Sequence, residues 1–385
     1  MYTEAFPITE YTVGSVVKIV SNPFPFNNRF WVHDCSFSSL TSYEGGAIMI
    51  ANVFSQLLVS DCVFYAISIT GSSGYNPAYG YYTSGNTYYA HGACIGYYNP
   101  TYSVDYPVIK RICAYRCNAR VTDGWSASGY NFYSYGHFCF IQVHSSSKID
   151  VNETSILECS TSKTTGRYIC YLYNGRITFN SDNITKSFAK SDAGLYTYGT
   201  NNCSIQFCTF LENSANENRV ITINNNGDAS LTSRILSSNF VNNTQPSTTD
   251  AVIYISCSNV IFDGCVFLVN DKTKPLFYKP SGSTIIINSY LSDHICTGVA
   301  PIYHNTLSSK PTLSLSHFGT AFCEIPTPDT NPEEVTYTYA LPPTPPQSIP
   351  LTPTECLYSD NGGKLFSLAN ILQLSLTAQA TLVLL

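Results

Sequence analysis

Two aspartates are the residues best placed for acid–base chemistry in this chain of 385 residues. Asp34 lies in FWVHDCSF and Asp61 in LLVSDCVF, at the same position of a repeated motif. If the two copies lie side by side, the carboxylates come close enough to act as the acid and base of a glycosidase or to bind calcium. A tight turn also prefers Asp, and the next copies offer no third carboxylate there. We therefore interpret both as solvated turn residues and predict no catalytic residue.

The spacing of histidine and cysteine does not predict a metal site. None of the seven His has a second His at metal-binding spacing. No CxxC occurs together with a second CxxC or with spaced His, as a structural zinc site would require. We accordingly predict no metal and no cofactor.

Tyrosines in two long segments are the better candidates for ligand binding. Residues 70–106 are rich in Tyr, Gly, Ser and Asn, and residues 121–135 add Trp125 and more Tyr. Aromatic rings stack on sugars and make large contacts at low entropic cost. The predicted binding residues are Tyr79, Tyr81, Tyr82, Tyr88, Tyr89 and Trp125. The alternative is that these rings only pack against each other or against the flank of the domain.

A short apolar motif recurs about every 27 residues and predicts the framework that must position these side chains. Its copies end at Phe37, Phe64, Ile156, Ile184, Phe210, Phe240, Phe267, Leu291 and Phe318, and ICAY at 112–115 is an interrupted copy. Within a copy the apolar residues alternate, slip by three at a corner and alternate again, as in Val260, Phe262, Cys265 and Phe267. This pattern predicts two short strands that meet at a bend.

A third strand follows most copies of the motif, as in GGAIMI at 45–50, GHFCF at 136–140 and RYICY at 167–171. Three strands in each turn, with almost no helical pattern, predict an all-β fold. The specific prediction is a single-stranded right-handed parallel β-helix, a solenoid of about ten rungs with loop insertions and a disordered C-terminal stalk. Its core should contain inward files of Val, Ile, Cys and Phe.

The fifteen cysteines follow the repeat. One motif position is shared by Cys35, Cys62, Cys208 and Cys265, with Cys113 as a fifth candidate, and the third strands place Cys94, Cys139 and Cys170 comparably. Residues at one position of a solenoid stack in a file at the strand spacing of about 4.8 Å. We interpret most of these cysteines as small apolar fillers, with disulfides between adjacent rungs as the alternative.

Composition divides the chain into four regions. We predict an N-terminal cap in 1–28, the β-helix in 29–323, a Pro- and Thr-rich stalk in 324–355 and a hydrophobic tail in 356–385. Residues 365–385 carry no charge and could cross a bilayer; a lipid-anchor signal and an amphipathic or disordered tail are the alternatives. Only 11% of residues are charged, the net charge is -6 and no Lys/Arg run occurs, which excludes nucleic acid as a partner.

The CxF strand followed by GGAI resembles the repeats of polymorphic outer-membrane proteins and of large β-helical surface proteins of parasitic protists, within the pectin-lyase-like superfamily. The resemblance covers about residues 29–323 and is clearest at 34–50 and 61–64. It implies surface display and adhesion. FWVHDCSFS is also similar to the Trp-Ile-Asp-His-Cys segment of pectate lyases, with the acid and imidazole exchanged as His33-Asp34. The chain lacks the Arg-x-Pro-x-x-Arg setting of those enzymes and the polygalacturonase-like signatures.

These observations predict a cell-surface or secreted protein for adhesion or display. It would bind a glycan or a host-cell surface protein through its Tyr-rich loops, with membrane attachment through the C-terminal tail as one option. The alternative is a polysaccharide lyase or glycoside hydrolase, and a third possibility is a structural coat protein. No ordinary signal peptide is visible in residues 1–20. Candidate N-glycosylation sites are Asn152, Asn183, Asn202 and Asn242.

Overall fold

The computed structural model of the chain describes twenty ranges of residues, all within the first of the two units into which the chain divides, Met1–Pro353. These ranges are 8–12, 19–21, 28–42, 46–51, 55–69, 87–100, 106–119, 124–125, 131–160, 166–199, 202–217, 219–225, 231–245, 251–257, 259–268, 270, 275–280, 282–292, 296–299 and 301–311. The predicted stalk, the hydrophobic tail and the last copy of the motif, which ends at Phe318, therefore lie outside them.

Thirty-five short strands make up the described part of the chain. In the first half they are β1 (Ile8–Thr12), β2 (Ile19–Ser21), β3 (Asn28–His33), β4 (Ser36–Ser38), β5 (Thr41–Ser42), β6 (Ile48–Ala51), β7 (Ser55–Tyr65), β8 (Ser68–Ile69), β9 (Thr87–His91), β10 (Ile95–Asn99), β11 (Val108–Tyr115), β12 (Asn118–Ala119), β13 (Gly124–Trp125), β14 (Asn131–Tyr135), β15 (Cys139–Val143), β16 (Lys148–Leu157), β17 (Cys170–Tyr173) and β18 (Arg176–Asn180). In the second half they are β19 (Asn183–Thr185), β20 (Phe188–Ala189), β21 (Leu195–Tyr198), β22 (Asn202–Gln206), β23 (Thr209–Leu211), β24 (Ser214–Ala215), β25 (Ile221–Asn224), β26 (Thr232–Leu236), β27 (Asn239–Val241), β28 (Ile253–Ser256), β29 (Asn259–Asp263), β30 (Val266–Leu268), β31 (Phe277–Lys279), β32 (Ser283–Ile287), β33 (Tyr290–Leu291), β34 (Cys296–Gly298) and β35 (Ile302–His304).

Equivalent strands of successive turns pair in parallel and form two long sheets. The ten-stranded sheet runs in the order β2-β6-β10-β15-β17-β21-β25-β28-β31-β34. The seventeen-stranded sheet contains the two strands on either side of the bend, and its longer row runs β1-β3-β7-β11-β16-β18-β22-β26-β29-β32-β35. No helix occurs in the described ranges, so none there could span a membrane. The predicted all-β parallel β-helix of about ten rungs is confirmed.

The bend between the first two strands of each rung is made by one residue in the left-handed conformation. It is Asp34 in one rung (φ 51°) and Asp61 in the next (φ 55°), and later rungs use Glu153 and Gly264. Asp and Gly tolerate this conformation well, which explains the turn-forming residues at the corner. Phe207 occupies the same corner with φ 52° and is 46% exposed, so the stacked strands impose the bend even on an unfavourable residue.

The inward residue after this corner explains why cysteine recurs there. Cys62, Cys208 and Cys265 each donate a thiol hydrogen bond to the carbonyl two residues earlier. Ser238 and Ser289 make the same bond with their hydroxyls. A small side chain with a donor therefore both fills the interior and closes the bend, which adds a polar role to the predicted apolar one.

Two cysteine assignments from the sequence are wrong by one residue. Cys62 pairs with Ile112, whereas Cys113 pairs with Val63 and is disulfide-bonded. Because side chains alternate along a strand, this shift places Ile112 rather than Cys113 in the file. Cys139 likewise pairs with Ile95, so Cys94 precedes the file that contains Cys139.

The interior is a continuous apolar core with stacked aromatic rings. The rings of Phe210 and Phe240 lie 5.3 Å apart, and those of Phe240 and Phe267 lie 4.9 Å apart, nearly parallel. These spacings match the distance between paired strands. The three residues are buried, so the predicted Phe file is present.

A file of asparagines crosses this core. Asn213, Asn243 and Asn270 occupy one position in successive rungs, and all three are buried. The Asn213 backbone N–H donates to Asn243 Oδ1 at 3.1 Å, and the Asn243 backbone N–H donates to Asn270 Oδ1 at 3.0 Å. Each amide thus satisfies the backbone of its neighbour, as buried polar groups require.

Candidate functional site

Seven aromatic side chains meet at the outer face of the ten-stranded sheet, and we call this group the tyrosine cluster. Its members are Tyr135, Phe140, Tyr168, Tyr171, Tyr173, Tyr196 and Tyr198. Five come from β15, β17 and β21 of that sheet, whereas Tyr135 comes from β14 and Tyr168 precedes β17. Strand periodicity produces the arrangement, because Cys170 and Leu172 point into the core and leave Tyr171 and Tyr173 on the outside. Tyr196 and Tyr198 alternate with buried residues of β21 in the same way.

Parallel register stacks these rings across three rungs. Phe140 pairs with Tyr171, and Tyr171 with Tyr196; each of these two ring pairs is 5.1 Å apart. Tyr173 and Tyr198 form a second file, also 5.1 Å apart. The rings therefore cover most of each other's faces, and a ligand approaching from outside meets ring edges and hydroxyl groups.

The second file ends at Tyr198. The positions that follow it in the next two rungs are Asn224 and Ser256, because Thr197 pairs with Ile223 and Asn224 with Ser256. In this file, Tyr198 is stacked on Tyr173 on one side and is followed by small polar residues on the other. Such a step beside an aromatic ring is a geometry in which a sugar ring can stack and form hydrogen bonds.

Beyond Tyr196, the first file of rings is interrupted for one rung, and an arginine covers the ring at which it resumes. Thr222 occupies the position after Tyr196, and Arg219 of the same rung lies over the ring of Tyr254, 3.6 Å from its centroid. Tyr254 then stacks on Tyr278 at 5.3 Å. This contact is a cation–π interaction, and it extends the aromatic surface along the axis of the β-helix.

The hydroxyls of Tyr168, Tyr171 and Tyr196 remain neutral. Burial raises the pKa of Tyr168, Tyr171 and Tyr196 above the ordinary value of 10.0. The nearby carboxylate of Asp192 raises the pKa of Tyr168 and Tyr196 further. These three tyrosines therefore supply O–H donors and apolar area, and they do not transfer protons near neutral pH.

The corner that contains Asp34 and Asp61 is a second group of functional side chains. Asp61 Oδ2 accepts a hydrogen bond from Arg111 Nη2 at 2.6 Å, and a second bond joins Arg111 Nε to Asp61 Oδ1. This guanidinium lowers the pKa of Asp61. Glu153 Oε2 lies 4.0 Å from Arg111 Nη1, so a third carboxylate does follow in the file, beyond the arginine.

This charged corner does not form an acid–base pair. Asp61 is held ionised by Arg111, and Asp34 Oδ2 lies 2.8 Å from Nδ1 of its neighbour His33. The ring of His33 in turn stacks on Trp31 at 4.1 Å. In the described part of the chain, no group of three or more His, Cys, Asp or Glu side chains could hold a metal ion. The arrangement is an ion-paired turn at the edge of the rungs.

The two Tyr-rich insertions come together in a small sheet of their own. Strand β9 pairs with β14 in parallel, with Tyr88 opposite Phe132 and Tyr89 opposite Tyr133. Strand β13 pairs with β14 in the antiparallel sense, with Trp125 opposite Asn131. Of the predicted binding residues, Tyr88, Tyr89 and Trp125 thus belong to one sheet. Tyr79, Tyr81 and Tyr82 are not among the residues that the structure describes.

The tyrosine cluster was not predicted from the sequence, although a signal for it was present. CYLY at 170–173 and LYTY at 195–198 place Tyr at every second position of a third strand, and period two puts such residues on one face. Tyr135 connects the cluster to the predicted region, because it ends β14 and lies 5.3 Å from Tyr168.

The candidate glycosylation sites differ in exposure. Asn242 is exposed at a left-handed corner with φ 52°, whereas Asn152, Asn183 and Asn202 are half-buried in strands. Asn242 is therefore the most accessible of the four.

No family model, curated protein or solved structure matches the chain.

Proposed function

We propose that this β-helix is a cell-surface or secreted adhesion or display protein that binds a glycan chain along the tyrosine cluster. The observation that carries the proposal is the stack of rings on the outer face of the sheet, which ends at Tyr198 beside Asn224 and Ser256. Aromatic area next to hydroxyl and amide groups suits a ligand that is itself both apolar and hydroxylated. Resemblance to outer-membrane and protist surface repeats supports display on a cell surface.

The direction of the cluster favours an extended ligand. Its rings repeat once in each rung, from Phe140 through Tyr171 to Tyr196, and resume at Tyr254 and Tyr278. A linear glycan running along the β-helix axis would meet a ring at each of these rungs and Thr222 in the rung between Tyr196 and Tyr254. The small sheet of β9, β13 and β14 joins this surface through Tyr135, so the Tyr-rich insertions belong to the same proposed site.

A glycan array probed with the purified full-length chain tests the proposal. We expect binding to a restricted set of glycans, and about a tenfold weaker dissociation constant for Tyr198→Ala with the best ligand. Tyr198→Phe, which keeps the ring, should bind nearly as well. Tyr290→Ala is the matched control, because Tyr290 is a half-buried tyrosine in β33 of the other sheet. Equal affinities of Tyr198→Ala and Tyr290→Ala would refute the site.

A turnover assay distinguishes glycan binding from the alternative, a polysaccharide lyase or glycoside hydrolase. Incubation with polygalacturonate, with and without calcium, should yield no unsaturated or shortened product if the protein only binds. Product formation that survives Tyr198→Ala would overturn the binding proposal in favour of an enzyme.

A further inference from the structure

Free thiols are concentrated in the rungs that carry the insertions. The described part of the chain contains eleven free cysteines, and all are buried. Five of them lie between residues 94 and 170, and they are Cys94, Cys117, Cys139, Cys159 and Cys170. The insertion at 121–135 leaves the β-helix shortly after Cys117 and returns shortly before Cys139. Cys117 and Cys139 therefore flank this insertion in the chain.

One pair of these thiols lies directly across two rungs. Cys139 opens β15, Cys170 opens β17, and the two residues are paired in register. Both side chains are fully buried, and the neighbouring Cys139 thiol adds to the rise that burial causes in the pKa of Cys170. Paired strands bring Cα atoms to about 4.8 Å, which is within the usual disulfide range of about 4.4–6.8 Å.

Cys117 and Cys159 also occupy equivalent positions of adjacent rungs, because the Ser160 N–H donates to the Cys117 carbonyl. The thiols of both Cys159 and Cys94 affect the pKa of Cys117, so Cys117 has two candidate partners, whereas strand register pairs Cys139 with Cys170. Cys208 and Cys265 share a file but are separated by the rung of Ser238. At twice the strand spacing, about 9.6 Å, these two cannot be joined without moving the backbone.

We propose that Cys139 and Cys170 form a cross-rung disulfide that ties the base of the insertion to the next rung. The oxidant is a small-molecule disulfide such as oxidised glutathione, which the oxidising compartment implied by the proposed function supplies. One thiolate attacks this disulfide and releases one glutathione thiol; the other thiolate attacks the mixed disulfide and releases the second. Two protons and two electrons leave the protein thiols, and two molecules of glutathione form.

The bond must form while the chain folds. In the finished β-helix, both thiols are buried, and burial raises the pKa of Cys170 well above 9.0, which suppresses the reactive thiolate. The Cβ atoms must also approach to about 3.8 Å, which is roughly 1 Å less than the strand spacing. Before these two strands pair, the thiols are exposed and the strand spacing is not yet fixed, so the bond can form.

Disulfide mapping after refolding tests the inference without any glycan, so it can fail independently of the proposed function. The full-length chain is reduced, denatured, refolded in a glutathione redox buffer, alkylated under denaturing conditions and digested. We expect a peptide pair linked through Cys139 and Cys170, and fully alkylated Cys208 and Cys265 as the internal control. Complete alkylation of Cys139 and Cys170, or a link from either to another cysteine, would overturn the assignment.

A stability measurement adds a second readout. The oxidised protein should melt several degrees higher than the reduced protein, since the bond closes a loop of about 31 residues in the unfolded chain. Cys170→Ser should reduce this difference to the part that the Cys113 disulfide contributes, and it should leave Cys139 alkylated. An equal oxidised-to-reduced difference in Cys170→Ser would show that the stabilising bond lies elsewhere.

Discussion

Asn243 provides the sharpest test of what holds the rungs in register. Its Oδ1 accepts the backbone N–H of Asn213, and its Nδ2 donates to the carbonyl of Phe210 at 2.9 Å. Asn243→Ala leaves both backbone groups buried without these partners. An orphaned buried polar group costs about 1–3 kcal/mol, so we expect a loss of ~4 kcal/mol in the free energy of unfolding. Asn243→Ser should cost less, because Ser187 at the same position of an earlier rung accepts the N–H of Cys159.

Denaturant unfolding followed by circular dichroism measures the change, with Asn242→Gly as the matched control. Asn242 is the exposed neighbour in a left-handed corner, a conformation that Gly also adopts, so its loss should cost about 0.5 kcal/mol or less. Hydrogen exchange adds a local readout, because the Asn213 amide should lose protection in Asn243→Ala. If Asn243→Ala is as stable as Asn242→Gly and the Asn213 amide stays protected, the asparagine file does not stabilise the fold.

Two further predictions concern ionisable groups. Burial lowers the pKa of Lys279 to about 8 from 10.5, so from about pH 8 to 10.5 the unfolded chain holds a proton that the folded chain has lost. The destabilisation caused by burying the charged amine is therefore full below pH 8 and is lost as pH rises to 10.5. Lys279→Met should therefore have a higher free energy of unfolding than the unmodified chain at pH 8, and this difference should shrink by ~2 kcal/mol by pH 10.5. A difference that stays constant over this pH range would contradict a lowered pKa of Lys279. Asn tolerates the left-handed conformation that Arg111 has at the corner, so Arg111→Asn removes the ion pair without straining the backbone. It should lower the free energy of unfolding by ~0.5–1 kcal/mol at neutral pH. Because Arg111 lowers the pKa of Asp61 below 3.8, the difference from the unmodified chain should vanish as pH falls below that value, and its persistence in acid would show that the ion pair is not its origin.

The interior of the fold was predictable because one rule governs it. Each inward position must stack on its equivalent in the next rung, so Phe210, Phe240 and Phe267 had to recur at one spacing. The rule failed where the spacing was interrupted. Between Phe64 and Ile156 the insertions hide the phase of the repeat, and Ile112 rather than Cys113 follows Cys62. Apolar character alone does not distinguish adjacent residues that differ by one position.

The outer surface was less predictable because no stacking rule constrains it. Arg111 was missed because its rung belongs to the interrupted copy, and only the register places its guanidinium between Asp61 and Glu153. The tyrosine cluster was missed for a different reason: alternation identifies Tyr171 and Tyr196 as outward, but it does not say that they meet. That contact depends on strands 25 residues apart in sequence being paired in register.

The two proposals meet in the same pair of strands. In β15, Cys139 faces the core and Phe140 faces outward; in β17, Cys170 and Tyr171 do the same. A cross-rung bond between the inward residues would fix the relative position of the outward rings, which are 5.1 Å apart. Since a binding surface gains affinity when its side chains are held in place before the ligand arrives, the inner bond and the outer surface are consistent parts of one rigid element. The ring of Tyr135, at the end of the 121–135 insertion, lies 5.4 Å from the ring of Tyr171. A bond between Cys139 and Cys170 would therefore also hold the ring that the base of this insertion contacts.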